Sequence, residues 1–568
     1  MELLIPVGNF DNLVSAVENG ADAIYLGLKR FNARVKAGNF SIGDLGKAVS
    51  FAHQKGVKVY LALNTLVKNN ELEDYFNLLK EAYLKGIDAV IIQEISFARI
   101  IKKYFPGLEV HASTQARLQN LDGLKYFDRV ILPRELSKEE IKKISKKTKI
   151  PLEIFVQGAL CFSVSGLCLM SSFIGQRSGN RGICAQPCRK KYNNKYLMSM
   201  KDLSLIDYVT EIGKLKISSI KIEGRLRSKK YVELSTQIYR KALDGKKITD
   251  EDKQILKSAF NRNLTTGFYG GDLEKTSPHN LKFQRIEKKI YTFKNKKNPI
   301  IKKNLSIKNN FNDLIKEINN LTQKSSSEEG LYLKIHNLKD INKILAYNHV
   351  KIIFYYIDHL DVKEAKDIVK NSGKKFYIYL PTIMSDDEII KYVKKVEDIN
   401  PDGLLLNTPK VSEKFNSVLK KNSIMYDYGL NVFNDLDLEY FGRSIISPEL
   451  SYKDLINFKN KDFLVLVHGN LSVMVTKNIL PCSLKYDDKF TYPVKKEHNY
   501  NIVYNSKDIA YLDKVLLLKQ KGITQFYLDL DRSVKKWVDI YSKILNGEKL
   551  NFKKLSKGFT LGHFNKPV

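Results

Sequence analysis

Four of the five cysteines of this chain, Cys161, Cys168, Cys184 and Cys188, lie close together in the sequence. Thiolates at such density are typical of a metal centre. The gaps of six, fifteen and three residues between them fit either an iron-sulfur cluster or a tetrahedral zinc ion. Because neither CxxC pair of a zinc ribbon is present, the spacing favours iron and sulfur.

Two alternatives to a metal centre are weaker. Buried cysteines behave as small hydrophobes, but the rest of the chain contains only Cys482. Disulfides suit small secreted scaffolds, whereas this chain has 568 residues, room for more than one domain and no secreted-scaffold pattern. The longest apolar runs, such as AVIIQEISFARII, are broken by charges before the roughly 20 residues of a membrane span. We therefore expect a cytoplasmic protein.

The charge of the chain indicates a polyanionic partner. The formal net charge is +33 at pH 7, and nucleic acid is the natural large anion of a cytoplasm. Arginine is concentrated in the first half, since only Arg443 and Arg532 lie beyond residue 285. Guanidinium groups bind carboxylates and phosphates in a bidentate manner, and several lie near the cysteines.

The first half alternates short β-branched runs with amphipathic helical segments, the pattern of a parallel α/β sheet. The runs number eight: LLIPVG, AIYLGL, VKVYLALN, AVIIQE, EVHASTQ, RVILPREL, LEIFVQGAL and SIKIEGRL. This count predicts a TIM barrel, whose functional residues collect where the strands end. The cysteine segment starts at the end of the seventh run, so we expect it over the barrel mouth.

The second half repeats the first. ILPRELS at 131–137 matches IISPELS at 445–451, and FVQGALCFSV matches LVHGNLSVMV, with Ser472 in the place of Cys161. We therefore predict an α/β fold with three parts. These are a TIM-barrel-like catalytic domain over 1–270 carrying the iron-sulfur segment 153–191, a Lys/Asn/Ser-rich connector over 271–329, and a degenerate barrel-like repeat over 330–568 without the cluster cysteines.

Three motifs resemble the collagenase-like peptidase family, number thirty-two among peptidases of unassigned type. They are LLIPVGNFDNLVSAVENGADAIYLGLKRFNAR, the cysteine segment with QRSGNRGICAQPCR, and MKDLSLI followed by IKIEGRLRSKKYV. The resemblance covers residues 1 to about 270, and the four cysteines match one by one. It implies an RNA hydroxylase that carries a 4Fe-4S cluster and uses prephenate to add a hydroxyl to carbon 5 of a pyrimidine. The second half resembles the C-terminal repeat of the branch that acts on cytidine in 23S rRNA, although the connector here is much shorter than the middle domain of that branch.

Candidate site residues follow from these arguments. We expect the four cysteines to ligate the cluster, and cationic side chains to bind the carboxylates of the donor or RNA phosphates. Strand-end polar residues are candidates for proton handling or base contact. The cationic candidates are Arg181, Arg189, Lys201, Lys221, Arg225 and Arg227, and the polar candidates are His111, Gln115 and Glu223.

Three alternatives stay open at this point. The first is hydroxylation of uridine in tRNA by the same chemistry. The second is a collagenase-like peptidase, although the chain contains no HExxH or GxSxG motif. The third is a non-catalytic RNA-binding protein in which the metal is structural.

Overall fold

The structure is a computed structural model. It describes residues 1–120, 126–259, 262–277, 290–293, 297–300, 310–321, 323–326, 328–408, 411–420, 423–487 and 489–568. Part of the predicted connector over 271–329 therefore lies outside the described residues, and the predicted domain limits stay predictions.

The first half contains strands β1 to β10 and helices α1 to α10. The strands are Glu2–Pro6, Ala23–Gly27, Lys58–Leu63, Ala89–Ile92, Glu109–Ala112, Arg129–Ile131, Leu152–Ala159, Asp202–Ser204, Ser219–Ile222 and Leu264–Thr265. The helices are Phe10–Glu18, Ile42–Gln54, Leu72–Leu84, Phe97–Tyr104, Lys138–Lys147, Met170–Gly175, Val209–Lys214, Lys229–Leu243, Asp250–Ser258 and Gly267–Gly270.

Within the described part of the first half, eight parallel strands close into a barrel. Strands β1 to β7 pair in chain order, and β9 pairs in parallel with both β7 and β1. Successive side chains along each strand point alternately into the barrel and out toward the helices, and so they form an inner and an outer core. On β3, for example, Tyr60 belongs to the cluster inside the barrel, while Val59 and Leu61 pack in the outer core with the helices. The TIM-barrel prediction is confirmed.

Charged side chains fill the lower interior of this barrel. Arg129 bonds to both Glu2 and Glu153, and Lys221 donates to Glu153 over 2.8 Å. Arg129, Glu153 and Lys221 are buried, so their charges are tolerated only because each is paired. Among the described residues, these paired charges therefore fill the lower interior, and the open cavity of the barrel lies above them.

The second half contains strands β11 to β22 and helices α11 to α20. The strands are Gly330–Ile335, Val350–Tyr356, Lys375–Tyr379, Gly403–Leu406, Ile424–Tyr426, Val465–Gly469, Ser472–Thr476, Ser483–Tyr486, Phe490–Glu497, Tyr500–Tyr504, Ile509–Ala510 and Gln525–Leu530. The helices are Asn310–Asn319, Leu338–Asn342, Val362–Asn371, Asp386–Ile399, Ser412–Phe415, Asp435–Phe441, Tyr452–Ile456, Val515–Gln520, Val534–Leu545 and Phe552–Leu555.

The second half has the same strand order as the first. Strands β11 to β15 pair in chain order, and β22 lies between β16 and β11. Single parallel bridges from Ser444 and Ile445 join β15 to the start of β16. A repeated glycine supports the correspondence. Gly158 and Gly469 have φ of +110° and +125°. A Cβ on Gly158 would collide with the backbone of Glu223, just after β9, and a Cβ on Gly469 would collide with the backbone of Asp529 in β22.

A separate antiparallel sheet, in the order β17, β20, β19, β18, extends from the second half toward the first. Polar contacts also join the halves directly. Arg117 donates to the carbonyl oxygens of Asn407 and Gly429, and Lys68 forms a buried ion pair with Asp454 at 3.1 Å. Among the described residues, no helix is long and apolar enough to cross a membrane.

Two buried carboxyl groups meet where the halves join. Glu94 accepts a hydrogen bond from the Val67 amide at 2.9 Å, and Ser96 donates to Asp437 at 2.5 Å. Burial raises the pKa of both carboxyls, and the nearby charge of Asp437 raises the pKa of Glu94 further. The folded protein therefore retains a proton here at pH values where the unfolded chain has released it.

We predict that Glu94→Gln flattens the pH dependence of thermal stability. A carboxyl whose pKa is raised by folding stabilises the protein fully at pH values below the pKa of the unfolded chain. This stabilisation is lost as the pH rises through the pKa of the folded protein. The substituted amide cannot ionise, so the stability difference between variant and parent should shift in favour of the variant as the pH rises from about 5 to about 8. Melting temperatures across this range measure the difference. Glu397→Gln, at an exposed position of α14, should follow the parent, and parallel curves for Glu94→Gln and the parent would contradict the prediction.

Candidate functional site

The cysteine segment runs from the end of β7 across the barrel mouth. Cys161 lies just beyond β7, and Cys168 comes two residues before α6. Cys184 lies in the irregular stretch that follows, and Cys188 lies in the short 3-10 helix Pro187–Arg189. On the barrel side, Ser165 donates its amide and its hydroxyl to the buried carboxylate of Glu135, which follows β6. The first barrel therefore fixes one edge of the segment.

The second half fixes the other edge of the segment. The Val164 amide donates to the Val475 carbonyl at 2.7 Å, and the Leu169 amide donates to the Val473 carbonyl at 2.8 Å. Between them, Cys168 forms an antiparallel bridge with Met474. The stretch from Val164 to Leu169 is thus hydrogen-bonded to β17 around a single β-bridge at Cys168.

All four cysteines line one cavity of about 280 Å³ at the mouth of the first barrel. All four are free thiols, and Cys161 and Cys184 are exposed. Burial raises the pKa of Cys168 and Cys188, and the proximity of the other thiols raises it further. The Gln186 amide donates to the Cys184 sulfur at 3.3 Å, the type of contact that thiolate ligands of clusters receive.

Cationic groups dominate the rest of the cavity wall. Arg34 pairs with the carboxylate of Glu223 at 3.0 Å. Burial alone would raise the pKa of Glu223, but Arg34, Arg134 and Arg227 together hold it below its usual range. Glu223 is therefore ionised at neutral pH, yet the cavity remains strongly positive. Among its described lining residues, the cations are Arg34, Lys36, Arg134, Arg189, Lys221, Arg225 and Arg262, and the carboxylate is Glu223.

Two arginines of the wall have buried donor atoms without a hydrogen-bond partner among the described residues. Arg225 donates through Nη2 to Asn32 at 2.9 Å, while its Nη1 has no acceptor among the described residues. Arg134 donates through Nη1 to the Ala159 carbonyl and stacks on Phe155, while its Nε likewise has no described acceptor. Burial lowers the pKa of Arg225 to about 10, so its guanidinium is still charged at neutral pH. Unsatisfied charged donors beside a cavity suit an anionic ligand.

The structure brings five of the nine other predicted site residues to the cavity. These are Gln115, Arg189, Lys221, Glu223 and Arg225. Gln115 accepts from Asn64 at 3.2 Å. Arg189 donates to the Ser199 hydroxyl at 3.0 Å and to the Met200 carbonyl, so it links the cysteine segment to the loop before β8.

The other four predicted residues, Arg181, Lys201, Arg227 and His111, do not line the cavity. Arg181 makes a two-point contact with Glu71 at 2.5 and 2.7 Å, Lys201 pairs with Glu274, and Arg227 pairs with Asp202 at 3.0 Å. His111 is fully buried in the barrel, where its Nε2 lies 2.9 Å from a Glu109 oxygen and its ring contacts Tyr60. Burial lowers the pKa of His111.

Three arginines of the cavity were not among the predicted site residues. Arg34 lies in the loop after β2, Arg134 follows β6, and Arg262 precedes β10. Position after a barrel strand was an available signal for Arg34 and Arg134. Arg262 does not follow a barrel strand, so its sequence position gave no indication of a role at the mouth. Its ion pair with Asp202 at 2.8 Å holds it at the cavity.

Within the described residues, no group of three or more His, Cys, Asp or Glu side chains is arranged to hold a single metal ion. The four cysteines instead surround a shared space, and their role as ligands stays a prediction.

Comparisons with known proteins place the chain in a family. Residues 8–279 match the family described as Peptidase family U32. An uncharacterized protease of Methanocaldococcus jannaschii is 38% identical over 307 residues, which cover 48% of this chain and 74% of that protein. The chain belongs to Peptidase family U32.

Two further relatives have names that refer to RNA. The tRNA hydroxylation protein P1 of Bacillus subtilis is 34% identical over 302 residues, covering 48% of this chain and 71% of that protein. The 23S rRNA 5-hydroxycytidine C2501 synthase of Escherichia coli is 35% identical over 295 residues, covering 49% of this chain but only 44% of the synthase. Members of the family are thus named as RNA hydroxylation proteins or as proteases.

We predict that Gly182→Ala disrupts the cysteine segment. Gly182 has a φ of +82°, and an added Cβ would lie 2.2 Å from the backbone oxygen of Asn32, the residue whose side chain holds Arg225. The backbone strain and the collision are both unfavourable, so we expect a loss of more than about 2 kcal/mol in stability. Thermal unfolding measures this loss.

Gly175→Ala is the matched control, because the same segment has open space around that residue. Equal melting temperatures for the two variants would show that the close approach of Gly182 to Asn32 carries no such cost.

Proposed function

We propose that this protein is an iron-sulfur-dependent RNA hydroxylase, which adds a hydroxyl to carbon 5 of a pyrimidine with prephenate as donor. Cytidine in 23S rRNA is the proposed target. The observation that carries the proposal is the composition of a single cavity, where four free thiols and a strongly cationic wall face the same space.

The donor set fits a 4Fe-4S cluster held by Cys161, Cys168, Cys184 and Cys188. These four thiols line one cavity, and a backbone amide already donates to the Cys184 sulfur. A cluster of this kind supplies electron transfer or Lewis-acid chemistry when bound. The chain itself supplies a rigid frame, since hydrogen bonds to both halves fix the stretch that carries Cys161 and Cys168.

The cationic wall fits the donor. Prephenate carries two carboxylates, and the guanidinium groups of Arg134 and Arg225 both belong to residues that line the cavity. Charge-assisted hydrogen bonds to such groups are among the stronger ones available in a protein. In this proposal, the two guanidinium groups bind and orient the carboxylates, while Arg34 keeps Glu223 ionised.

A pyrimidine base would have to leave its stack to enter the cavity. The barrel interior below is filled by the paired charges around Glu153, so the base can approach only from the mouth. Gln115 and Asn64 line this entrance and offer amide groups to the edge of a base. Glu223 is the carboxylate positioned to accept a proton at the cavity wall.

The extent of the matches favours rRNA over tRNA as substrate. The tRNA hydroxylation protein is matched over 71% of its length, so little of it lies outside the match. The rRNA synthase is matched over only 44% of its length, and both it and this chain extend far beyond the matched region. Hydroxylation of tRNA uridine is the second candidate, supported by the name of the Bacillus subtilis relative.

The peptidase alternative depends on a cysteine thiolate next to a histidine. The buried His111 has its Nε2 bonded to Glu109 and does not line the cavity. Its placement therefore favours a structural role over activation of a cysteine.

We predict that Cys168→Ala abolishes both iron binding and RNA hydroxylation. Removing one of four thiolates leaves a cluster with an incomplete ligand set, so the purified variant should lose its brown colour and most of its iron, about four atoms per chain in the parent. In cells that lack the gene, the parent should restore 5-hydroxycytidine to the 23S rRNA fraction, while the variant should not. Anaerobic iron analysis and nucleoside mass spectrometry of separated rRNA and tRNA measure both effects.

Cys482→Ala is the control, because Cys482 is exposed and does not line the cavity. Restoration of 5-hydroxyuridine in tRNA would move the assignment to the second candidate. Full iron content and full hydroxylation in Cys168→Ala would sink the proposal, and zinc in place of iron would contradict the cluster.

We predict that Arg225→Gln weakens the binding of prephenate by about 10- to 100-fold, because a charge-assisted hydrogen bond contributes roughly 1.5–3 kcal/mol. Titration calorimetry measures this without a turnover assay, and Arg225→Lys should recover part of the affinity because it keeps the charge. Arg30→Gln, which removes an exposed arginine paired with Asp74 away from the cavity, should bind as the parent does. Unchanged affinity in Arg225→Gln would remove this residue from the donor site.

A further inference from the structure

A basic surface outside the cavity is built from both halves of the chain. The Tyr192–Lys195 turn follows Arg189, a residue of the cavity wall, and its two central residues have φ of +50° and +60°. Positive φ at both central positions is typical of a tight type I′ turn. The turn therefore lies next to the rim of the cavity.

The tip of this turn is fixed to the β18–β19 hairpin of the second half. The Asn193 amide donates to the Lys485 carbonyl at 3.0 Å, and the Lys485 amide donates to the Asn193 side-chain oxygen at 2.8 Å. Beneath the turn, the buried ring of Tyr192 contacts Tyr486 at 5.4 Å between ring centroids. The turn and the hairpin thus form one continuous surface.

Five exposed lysines lie on this surface, here called the mouth patch: Lys190, Lys191, Lys195, Lys485 and Lys489. None of them forms an ion pair with another described residue, whereas most cations of the cavity wall have polar partners. Asp487 is the described carboxylate on the turn of the hairpin, and residue 488 lies outside the described residues. The patch is therefore strongly positive and available to an external anion.

An aromatic ring accompanies these charges. Phe490 pairs with Tyr486 across the hairpin and is 40% exposed. Lysines that track a phosphate backbone, together with an exposed ring on which a base can stack, are typical of surfaces that bind single-stranded nucleic acid.

We propose that the mouth patch is the RNA docking surface, and that the second half of the chain contributes it so that a nucleotide enters the adjacent cavity. The inference rests on the proposed function for the choice of RNA. It assigns to the second half a direct role in substrate binding, because Lys485, Lys489 and Phe490 all belong to that half.

The test is the binding of a fluorescently labelled, mixed-sequence single-stranded RNA to the full chain with the double substitution Lys485→Ala and Lys489→Ala. Two lost phosphate contacts should weaken binding about tenfold near 0.1 M salt and reduce the slope of log affinity against log salt by about 1.4. Phe490→Ala should weaken binding without changing this slope. Melting temperature and visible absorbance should match those of the parent, because all three side chains are exposed.

The control is Lys246→Ala with Lys247→Ala. These exposed lysines follow α8, which runs from the end of β9 back to the opposite face of the barrel. The control should retain the affinity and salt slope of the parent. Equal weakening by both double variants would overturn the proposal, since it would show attraction by total charge rather than by this patch.

Two further outcomes separate this inference from the proposed function. If the patch variant binds RNA and restores hydroxylated nucleosides in cells as well as the parent does, the docking surface is wrong and the hydroxylase proposal stands. If the parent leaves nucleosides unchanged while the patch variant still loses RNA binding, the docking surface stands and the hydroxylase proposal fails. Loss of binding to phosphatidylglycerol vesicles, with RNA binding unchanged, would assign the patch to membranes and overturn the proposal.

Discussion

The structure of the candidate site depends on one short piece of β-pairing between distant parts of the chain. The amides of Val164 and Leu169 donate to carbonyls of β17 in the second half, and Cys168 lies between these two bonds. The opposite edge of the segment is bound to Glu135 of the first barrel. The segment over the barrel mouth is thereby fixed on both sides, and its thiols are held around one space. Without β17, the stretch that carries Cys161 and Cys168 would be held only from the barrel side.

Electrostatics then divides the first barrel into two levels. In the lower interior, Glu153 is paired with both Arg129 and Lys221, so the charges there compensate one another and close the barrel. At the mouth, cations outnumber the single lining carboxylate among the described residues, and Arg225 retains a buried donor without a described partner. The uncompensated positive charge therefore lies at the mouth of the barrel, where a ligand has access. The first barrel therefore combines a lower interior of compensated charges with a positively charged mouth that suits an anion.

The second half keeps the strand order of the first but has no comparable open cavity at its strand ends among the described residues. Leu167 and Leu169 of the cysteine segment lie over its strand ends, where they line a cavity of only about 40 Å³ together with Lys334 and Asp529. Lys334 and His336 both pair with Asp529, at 3.2 and 2.7 Å, so these charges are satisfied internally. The second half therefore supports the cysteine segment, and that segment in turn covers the strand ends of the second half.

The sequence by itself determined the eight-stranded first barrel, the strand order of the second half and the clustering of the cysteines at the end of β7, because hydrophobic periodicity and residue spacing are local properties. It also identified Gln115 and Glu223 as polar residues at strand ends, and Arg189, Lys221 and Arg225 as cations for an anionic ligand; all five line the cavity. Only the tertiary structure decided which cations face the cavity. Arg181 lies within the cysteine segment and Arg227 follows β9, but they are bound to Glu71 and Asp202, whereas Arg34, in the loop after β2, lines the wall. The physical reason is that a cation pairs with the nearest carboxylate in space, and those distances are set by the packing of the whole chain.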